Sequence, residues 1–344
     1  MSIEIFWTLP TNGDGPAPGR SRFARGDFAG GRRANLAHSG LTDPRNGPRS
    51  DPRSGLHTYY DYLLQVARAA EVSGFGGVVI PWEPSGEDPW IVAASLARHT
   101  RRLTLVPELE VAFATPVYLA KMSASFQRLA QGRLGWKLDL ERDASVRRAH
   151  GDALQGAAQL ERASEYLEVA KGVWNTRPYD FHGSHYDVEA GGFESPLSGQ
   201  TLPRVFTSGG SEPALELAAR HADVHVLAAG SDASLQARAK RLSSLARERG
   251  RRVSLGLHLR VLARHSEQEA RRDAVEGAFD LSGSYDAVAA RLARYAELGI
   301  QLLVLEAPPH LEEAYRLGEH VLPRLHAQRQ PAAAAAAVTS VASV

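Results

Sequence analysis

Two residues with chemically useful side chains share one predicted strand. In the segment GLHLR, His258 and Arg260 alternate with leucines, so their side chains point to the same face. Histidine exchanges protons near neutral pH, and arginine binds anions through paired hydrogen bonds. We predict that both are catalytic, His258 in proton transfer and Arg260 in electrostatic contact with a ligand. An exposed strand end is the alternative.

A glycine-rich turn offers a second possible site, for an anion. Thr207, Ser208, Gly209, Gly210 and Ser211 end a predicted strand and precede a predicted helix. Glycines let a ligand approach the backbone, and the N–H groups at a helix N-terminus favour negative charge. We predict that this turn binds the phosphate of a cofactor. The alternative is an ordinary turn in which the serine caps the helix.

A third segment is the run EDPW, which follows another predicted strand. Asp88 could cap the next helix, with Pro89 at its first position. The alternative is that the loop walls a cofactor, and we therefore include Glu87 and Asp88 among the predicted cofactor-binding residues. His182 and His185 flank a predicted hairpin turn without further ligands nearby, so no metal site is predicted.

These segments need a scaffold, and strand-like and helix-like segments alternate along the chain. Eight strands are predicted, over Ile3–Leu9, Phe75–Pro81, Leu103–Leu109, Leu134–Leu140, Arg204–Thr207, Asp223–Ala228, Val253–Leu262 and Gln301–Leu305. Strands separated by helices pair in parallel, and eight of them favour closure into an α/β fold, the (β/α)8 TIM barrel, with functional groups at the carboxyl ends of the strands. A doubly wound open sheet is the alternative, but no helix follows the turn after the first strand.

The organisation of the chain follows from its length and composition. The 344 residues fit one elaborated barrel over residues 1–330, with a Gly- and Arg-rich loop insertion at 16–57 and a disordered tail at 331–344. The absence of cysteine excludes disulfides and thiolate catalysis. A net charge of +1 favours neither nucleic acid nor a membrane as a partner. Without a signal-like N-terminus or a long apolar run, we expect a cytoplasmic protein.

Several longer segments carry a resemblance to a known family. They are FWTLPTNGDG, GEDPWIVAASLARHTRRLTLV, TPVYLAKMSASFQRLAQGRL, PRVFTSGGSEPALELAARHADVHV and APPHLEEAYRLGEHVLPRL. Together they resemble the bacterial-luciferase-like, flavin-dependent monooxygenases, and among these the alkanesulfonate monooxygenases.

The resemblance implies a cofactor, partners and a reaction. It implies reduced FMN supplied by a separate flavin reductase, O2 as the oxidant, and a small anionic or organosulfur substrate such as an alkanesulfonate, which places the protein in sulfur metabolism. It implies that the turn at 207–211 holds the flavin phosphate. We further expect a homo-oligomer.

This chain departs from the sulfonate pattern at several positions near the expected site. The departures are Asn12, Gly86, the run Lys137–Glu141, Ala163 and Pro308, and the order of His258 and Arg260 is inverted. The mobile lid before the last strand is nearly absent, and we predict that the loop at 16–57 replaces it. Two alternatives therefore stay open: a non-catalytic homologue that serves as a structural subunit, and a deazaflavin-dependent hydride transferase on the same barrel.

Overall fold

The structure is a computed structural model that describes residues 3–14, 42–43, 47–48, 58–275 and 277–327. The predicted lid function of the loop at 16–57 and the predicted disorder of the tail at 331–344 lie outside these residues. Within the loop, two short strands, β2 (Thr42–Asp43) and β3 (Gly47–Pro48), form an antiparallel ladder.

The main sheet is a closed barrel of eight strands. These are β1 (Glu4–Thr8), β4 (Gly77–Ile80), β5 (Thr104–Leu109), β6 (Gly135–Asp139), β9 (Arg204–Ser208), β10 (Val224–Ala228), β11 (Ser254–Arg264) and β13 (Ile300–Glu306). The order is β10-β9-β6-β5-β4-β1-β13-β11, and β10 also pairs with β11. The pairings of β1 with β4 and β13, and of β6 with β5 and β9, are parallel. The predicted (β/α)8 TIM barrel is confirmed.

Helices alternate with the barrel strands. They are α1 (Tyr59–Val72), α2 (Pro89–Ala97), α3 (Pro116–Ala130), α4 (Ala144–Ala149), α5 (Gly156–Asn175), α6 (Glu212–His221), α7 (Asp232–Glu248), α8 (Glu267–Asp273), α9 (Tyr285–Glu297) and α10 (His310–Arg316), the last continuing into a π-helical turn at Leu317–Val321. The predicted hairpin is present as β7 (Tyr179–His182) and β8 (Asp187–Gly191). Among the described residues, no helix is both long and apolar enough to cross a membrane.

A short helix and a strand that was not among the eight predicted follow β11. α8 ends at Asp273, and the further strand, β12 (Leu281–Ser284), comes after it. Two contacts accompany this arrangement. The Asp273 carboxylate accepts a hydrogen bond of 2.7 Å from Arg264 Nε, and the long strand β11 offers β12 a parallel partner along Val261–Arg264.

The chain divides into two compact units, which we call unit 1 (Met1–Asp88 with Gly256–Val344) and unit 2 (Pro89–Leu255). Trp7 is fully buried in unit 1, and Trp136 is fully buried in unit 2, where its Nε1 donates to Ser123 Oγ at 2.8 Å. Both tryptophans are core residues.

Local sequence fixes the start of the helix that contributes to unit 1's polar site. The side chain of Thr58 accepts from the backbone N–H of Asp61, and the carboxylate of Asp61 accepts from the backbone N–H of Thr58 at 2.8 Å. This reciprocal capping arrangement satisfies two N–H groups that the first turn of a helix leaves without partners. It sets the first turn of α1 and with it the position of Tyr62.

Candidate active site

Five polar side chains of unit 1 come from the ends of β1 and β13, from α1, from β11 and from the first residue of α10. We call them the histidine–aspartate cluster; its members are Asp14, Tyr62, His258, Glu306 and His310. The carboxyl ends of barrel strands are where (β/α)8 enzymes carry their functional groups.

Asp14 is the anchor of the cluster. Its carboxylate is fully buried and accepts three hydrogen bonds: from the backbone N–H of His310 at 2.6 Å, from His310 Nδ1 at 2.9 Å, and from the hydroxyl of Tyr62. A carboxylate on Nδ1 fixes both the tautomer and the orientation of an imidazole, so that Nε2 is the nitrogen left to act.

The imidazole of His310 is buried, and among the described residues its Nε2 has no hydrogen-bond partner. Burial alone would lower the pKa of His310, but the charge and hydrogen bond of Asp14, together with the carboxylates of Glu306 and Glu313, raise it above its ordinary value. His310 therefore holds its second proton to a higher pH than a free histidine, and that proton is on Nε2.

Further polar atoms near the end of β1 are buried without a partner among the described residues. They are Trp7 Nε1, Thr8 Oγ1 and Asn12 Oδ1. Trp7 lies edge-on to His310, with 5.8 Å between ring centroids. A buried polar group without a hydrogen bond costs about 1–3 kcal/mol. Several of them along one strand end indicate a place for a polar ligand.

The two predicted catalytic residues do lie on one face of β11, and both are partly exposed. His258 Nε2 is 3.0 Å from Glu306 Oε2. Arg260 is engaged by Asp280, whose two carboxylate oxygens lie 3.0 Å from Nη2 and 3.3 Å from Nε. The positive charge of Arg260 is thus already matched within the protein. Its catalytic role stays a prediction, as does that of His258.

Glu306 links the two histidines electrostatically. Its burial raises the pKa, but the hydrogen bond from His258 and the positive charges of His310, His258 and Arg260 outweigh burial and lower it. The cluster thus combines an ionised carboxylate, a histidine held by that carboxylate, and a histidine held by Asp14. Such an arrangement can donate a proton from His310 Nε2 and exchange one at His258.

The EDPW segment forms a backbone hydrogen bond with the residues that follow β1. Glu87 N donates to the carbonyl of Thr11 at 3.0 Å, while the side chains of Glu87 and Asp88 are exposed. A Cβ on Gly86 would lie 3.1 Å from the carbonyl carbon of Thr11. The backbone of Thr11 thus leaves little room for a side chain at Gly86. Cofactor binding by Glu87 and Asp88 stays a prediction.

The predicted phosphate turn lies in unit 2, and a side chain of the protein occupies its amide groups. Glu141 Oε2 accepts from Gly210 N at 2.7 Å, and Glu141 Oε1 accepts from Ser211 N at 2.7 Å. The hydroxyl of Ser211 caps α6 by accepting from Ala214 N, which is the alternative that the sequence left open. Phosphate binding at this turn stays a prediction, and the position of Glu141 opposes it.

A buried histidine holds the turn in shape. His225 Nδ1 is 2.9 Å from Thr207 Oγ1, and His225 Nε2 is 2.9 Å from the carbonyl oxygen of Gly209. Burial lowers the pKa of His225 to about 4, so the ring is neutral near pH 7 and donates from Nε2 while accepting from Thr207. The hydroxyl of Thr207 is therefore committed to His225.

The run Lys137–Glu141 replaces the uncharged residues of the resembled family with charges, and unit 2 neutralises each cation locally. Lys137 Nζ is 2.5 Å from Glu108 Oε2, and Arg142 contacts both Glu108 and Glu110, its Nε lying 2.5 Å from Glu110 Oε1. The network is buried or nearly so. A charged end of β6 is thus tolerated because β5 supplies the matching carboxylates.

Asp14, His310, Glu306, Glu141 and His225 were not predicted from the sequence. The segments TNGDG and APPHLEEAYRLGE contain Asp14 and His310, but the two residues are 296 positions apart, and no local pattern joins them. The signal that could have indicated Glu141 is its place directly after the predicted strand Leu134–Leu140, which precedes the predicted strand Arg204–Thr207 in the order of barrel strands.

Comparisons with known proteins place this geometry in context. The structure is similar to an EDTA monooxygenase, EmoA, from Chelativorans sp. BNC1 (19% identity, TM-score 0.74, 95% of this chain and 94% of that chain). It is also similar to a riboflavin lyase, RcaE, with modified FMN and riboflavin (16%, 0.73, 95% and 92%). A third is the oxygenating constituent of the 3,6-diketocamphane monooxygenase of Pseudomonas putida with FMN (17%, 0.68, 94% and 99%). At these identities the likeness shows the fold.

A family model described as luciferase-like monooxygenase matches residues 39–338, which is well over half of the chain. The match, the closed parallel barrel and the polar cluster at the carboxyl ends of its strands agree. This chain belongs to the luciferase-like monooxygenase family.

Proposed function

We propose that this protein is a two-component monooxygenase that takes a reduced flavin from a separate reductase, uses O2, and oxidises a small anionic organosulfur compound such as an alkanesulfonate. FMN is the flavin that the sequence resemblance implies and the first to test. The observation that carries the proposal is the buried, Asp14-oriented imidazole of His310, whose Nε2 has no partner among the described residues.

That observation favours catalysis over a purely structural role. A protein that only builds an interface gains nothing from a buried histidine whose second nitrogen has no partner in the described part of the chain, since leaving such a group unpaired costs stability. Enzymes retain such groups because they act on a bound molecule. The unpaired atoms of Trp7, Thr8 and Asn12 in the same unit fit the polar edge of a flavin ring or of a substrate.

The reduced flavin, when bound, activates dioxygen and supplies the oxidising power. The protein's own residues would do the rest. Asp14 fixes His310 so that Nε2 presents a proton to a developing negative charge. His258 exchanges protons with solvent, held by Glu306 at 3.0 Å. Arg260 can attract an anionic substrate to the extent that Asp280, at 3.0 Å, releases it.

A non-catalytic role is the second candidate, and one observation favours it. The amide groups that the family resemblance assigns to the flavin phosphate are filled by Glu141. If no flavin bound at all, the closed turn would explain why, and the barrel would serve as a structural subunit.

The test separates the two candidates. Purified protein is titrated anaerobically with FMN and with riboflavin, each in its reduced and oxidised form, and then assayed for sulfite release from alkanesulfonates of increasing length, with a flavin reductase present. Saturable binding of reduced flavin and substrate-dependent sulfite support the proposal. Binding without any sulfite removes the organosulfur substrate, and no binding of any flavin removes the enzyme assignment.

A further inference from the structure

The carboxylate of Glu141 contacts the amino end of α6 in the manner of a bound anion. Each of its oxygens accepts one backbone N–H, from Gly210 and from Ser211, both at 2.7 Å. The first N–H groups of a helix are the donors that anionic ligands use, because the helix leaves them without internal partners. In this chain those two donors are already satisfied.

The sheet, and not the side chain alone, brings Glu141 to this place. Asp139 is in register with Ser208 across the β6–β9 ladder, and Leu140 N donates to the carbonyl of Ser208 at 3.0 Å. The side chain then packs on the turn itself: a Cβ on Gly209 would lie 3.2 Å from the carboxyl carbon of Glu141. Backbone pairing and packing therefore both hold the carboxylate on the helix end.

Glu141 is ionised at the turn, and a cation lies nearby. Burial opposes ionisation of Glu141, but the hydroxyl of Ser211 and the two backbone N–H groups outweigh burial and lower its pKa. Arg238 is the nearby cation, since a Cβ on Gly210 would lie 3.4 Å from its guanidinium. A phosphate placed here would meet an ionised carboxylate at hydrogen-bond distance, and like charges in such contact cost about several kcal/mol.

We propose that Glu141 takes the place of a cofactor phosphate in this protein, so that the flavin it selects is the phosphate-free form, riboflavin. This inference rests on the proposed function, because it concerns which flavin the enzyme uses. The isoalloxazine ring is the same in riboflavin and FMN, so the chemistry of the ring is retained. The difference between the two flavins lies only in the phosphate that the turn would otherwise bind.

The experiment measures three ligands on three proteins. Dissociation constants for riboflavin, FMN and inorganic phosphate are determined by calorimetry for the unaltered protein, for Glu141→Ser and for Glu212→Ser. Glu212 is the matched control: it lies in the first turn of the same helix and carries the same charge, but it contacts the exposed Arg241 and not the turn amides.

We expect the unaltered protein to bind riboflavin at least as tightly as FMN and to bind no inorganic phosphate. Glu141→Ser should gain at least about tenfold in affinity for FMN, since a hydrogen bond to a charged group contributes about 1.5–3 kcal/mol and tenfold is about 1.4 kcal/mol. It should keep its affinity for riboflavin and acquire measurable phosphate binding. Glu212→Ser should behave as the unaltered protein does.

Two results would overturn the inference. Tighter binding of FMN than of riboflavin by the unaltered protein, with the ratio unchanged in Glu141→Ser, would remove Glu141 from cofactor choice and leave the proposed function standing. No binding of either flavin would remove both. If Glu141→Ser does not fold, Glu141→Gln replaces it; because the uncharged amide still fills the turn, this variant should gain affinity for FMN through lost charge repulsion only, and no binding of inorganic phosphate is expected.

Discussion

The histidine–aspartate cluster of unit 1 and the glycine-rich turn of unit 2 treat their polar groups in opposite ways. In unit 1, the Asp14–His310 pair leaves one imidazole nitrogen without a partner among the described residues. In unit 2, the N–H groups of Gly210 and Ser211 are satisfied by Glu141. Lys137 of β6 and Arg142, which follows β6, are likewise paired with Glu108 of β5.

The difference teaches where to look for function. A polar network that satisfies itself stabilises or specifies structure, whereas a network that is held rigid but left incomplete is poised to act on something else. By that criterion we propose the histidine–aspartate cluster as the place of the chemistry. At the glycine-rich turn, Glu141 satisfies the N–H groups of Gly210 and Ser211.

The largest effect should come from removing the anchor of the incomplete network. Asp14→Ala leaves buried donors of His310 and Tyr62 without an acceptor, and removing one partner of a buried ion pair costs about 3–5 kcal/mol. The control is Asp187→Ala. Its carboxylate lies 2.6 Å from Nδ1 of His182, but both side chains are about 70% exposed, so the loss should be about 0–1 kcal/mol.

Denaturant unfolding measures both variants of this pair. Equal losses of stability in the buried and exposed aspartate variants would show that Asp14 does not anchor His310, and the contrast between the two units would lose its structural basis.

The next effect is on turnover. His310→Gln keeps a hydrogen-bonding side chain but cannot hold a proton at Nε2, and loss of a general acid typically costs about 10²–10⁴-fold in rate. His258→Ala should lower turnover more than substrate affinity, by a smaller factor, because this residue is partly exposed. His182→Gln, at an exposed histidine of the hairpin, is the control. Full turnover in His310→Gln would show that Nε2 of His310 takes no part in the reaction.

A smaller effect should distinguish two glycines that lie beside the two sites. Gly209 has a φ of +146°, and a Cβ there would lie 2.8 Å from Ala214 Cβ, so Gly209→Ala should cost about 1–3 kcal/mol and displace Glu141. Gly86→Ala meets the carbonyl carbon of Thr11 at 3.1 Å without a positive φ, and should cost about 1 kcal/mol. Melting temperatures rank the two, and a reversed order would contradict the packing described for the turn.

The smallest effect is a pair of opposite pH dependences. The folded-state pKa of His310 is raised above 6.5, so its contribution to stability is complete below that pH and is lost as the pH rises through the folded value. The folded-state pKa of Glu141 is lowered below 4.5, so its contribution is present above that pH and is lost as the pH falls through the folded value.

The unfolding free energy of each variant, His310→Gln and Glu141→Gln, is subtracted from that of the unaltered protein at a series of pH values. The series runs from pH 3 to pH 9, as working limits around the titration ranges of about 4–7. The two differences, plotted against pH, should slope in opposite directions. Two differences with the same slope would contradict the assigned charge states.

The sequence predicted the barrel well because each strand and helix has a signal in its own local sequence. The runs of apolar residues around Val78 and Leu303, separated by helix-forming stretches and turn glycines, correspond to β4 and β13. The short strand β12 was missed because its residues, LSGS, carry no strand signal of their own. It forms because β11 continues to Arg264 and presents unpaired backbone to it.

The candidate site was harder to predict because its partners are distant in the chain. His258 and Arg260 were placed correctly on one face, but Glu306 and Asp280, which engage them, come from other segments. The glycine-rich turn was predicted to bind a cofactor phosphate, and that stays a prediction. The β6–β9 register, which no local pattern shows, brings the protein's own Glu141 to the amides of the turn.

The β6–β9 register affects how well a free phosphate ester can compete with Glu141 for the turn. A group tethered next to its binding site acts as if it were present at a local concentration of about millimolar or higher, whatever the concentration of protein. To displace Glu141 from the two amides at 2.7 Å, a free phosphate ester must be present above that concentration or must bind the amides correspondingly more tightly than the carboxylate does. If Glu141 acts as we propose, the turn excludes phosphorylated metabolites that are dilute in the cell, and replacing this one residue would change that selectivity without altering His310.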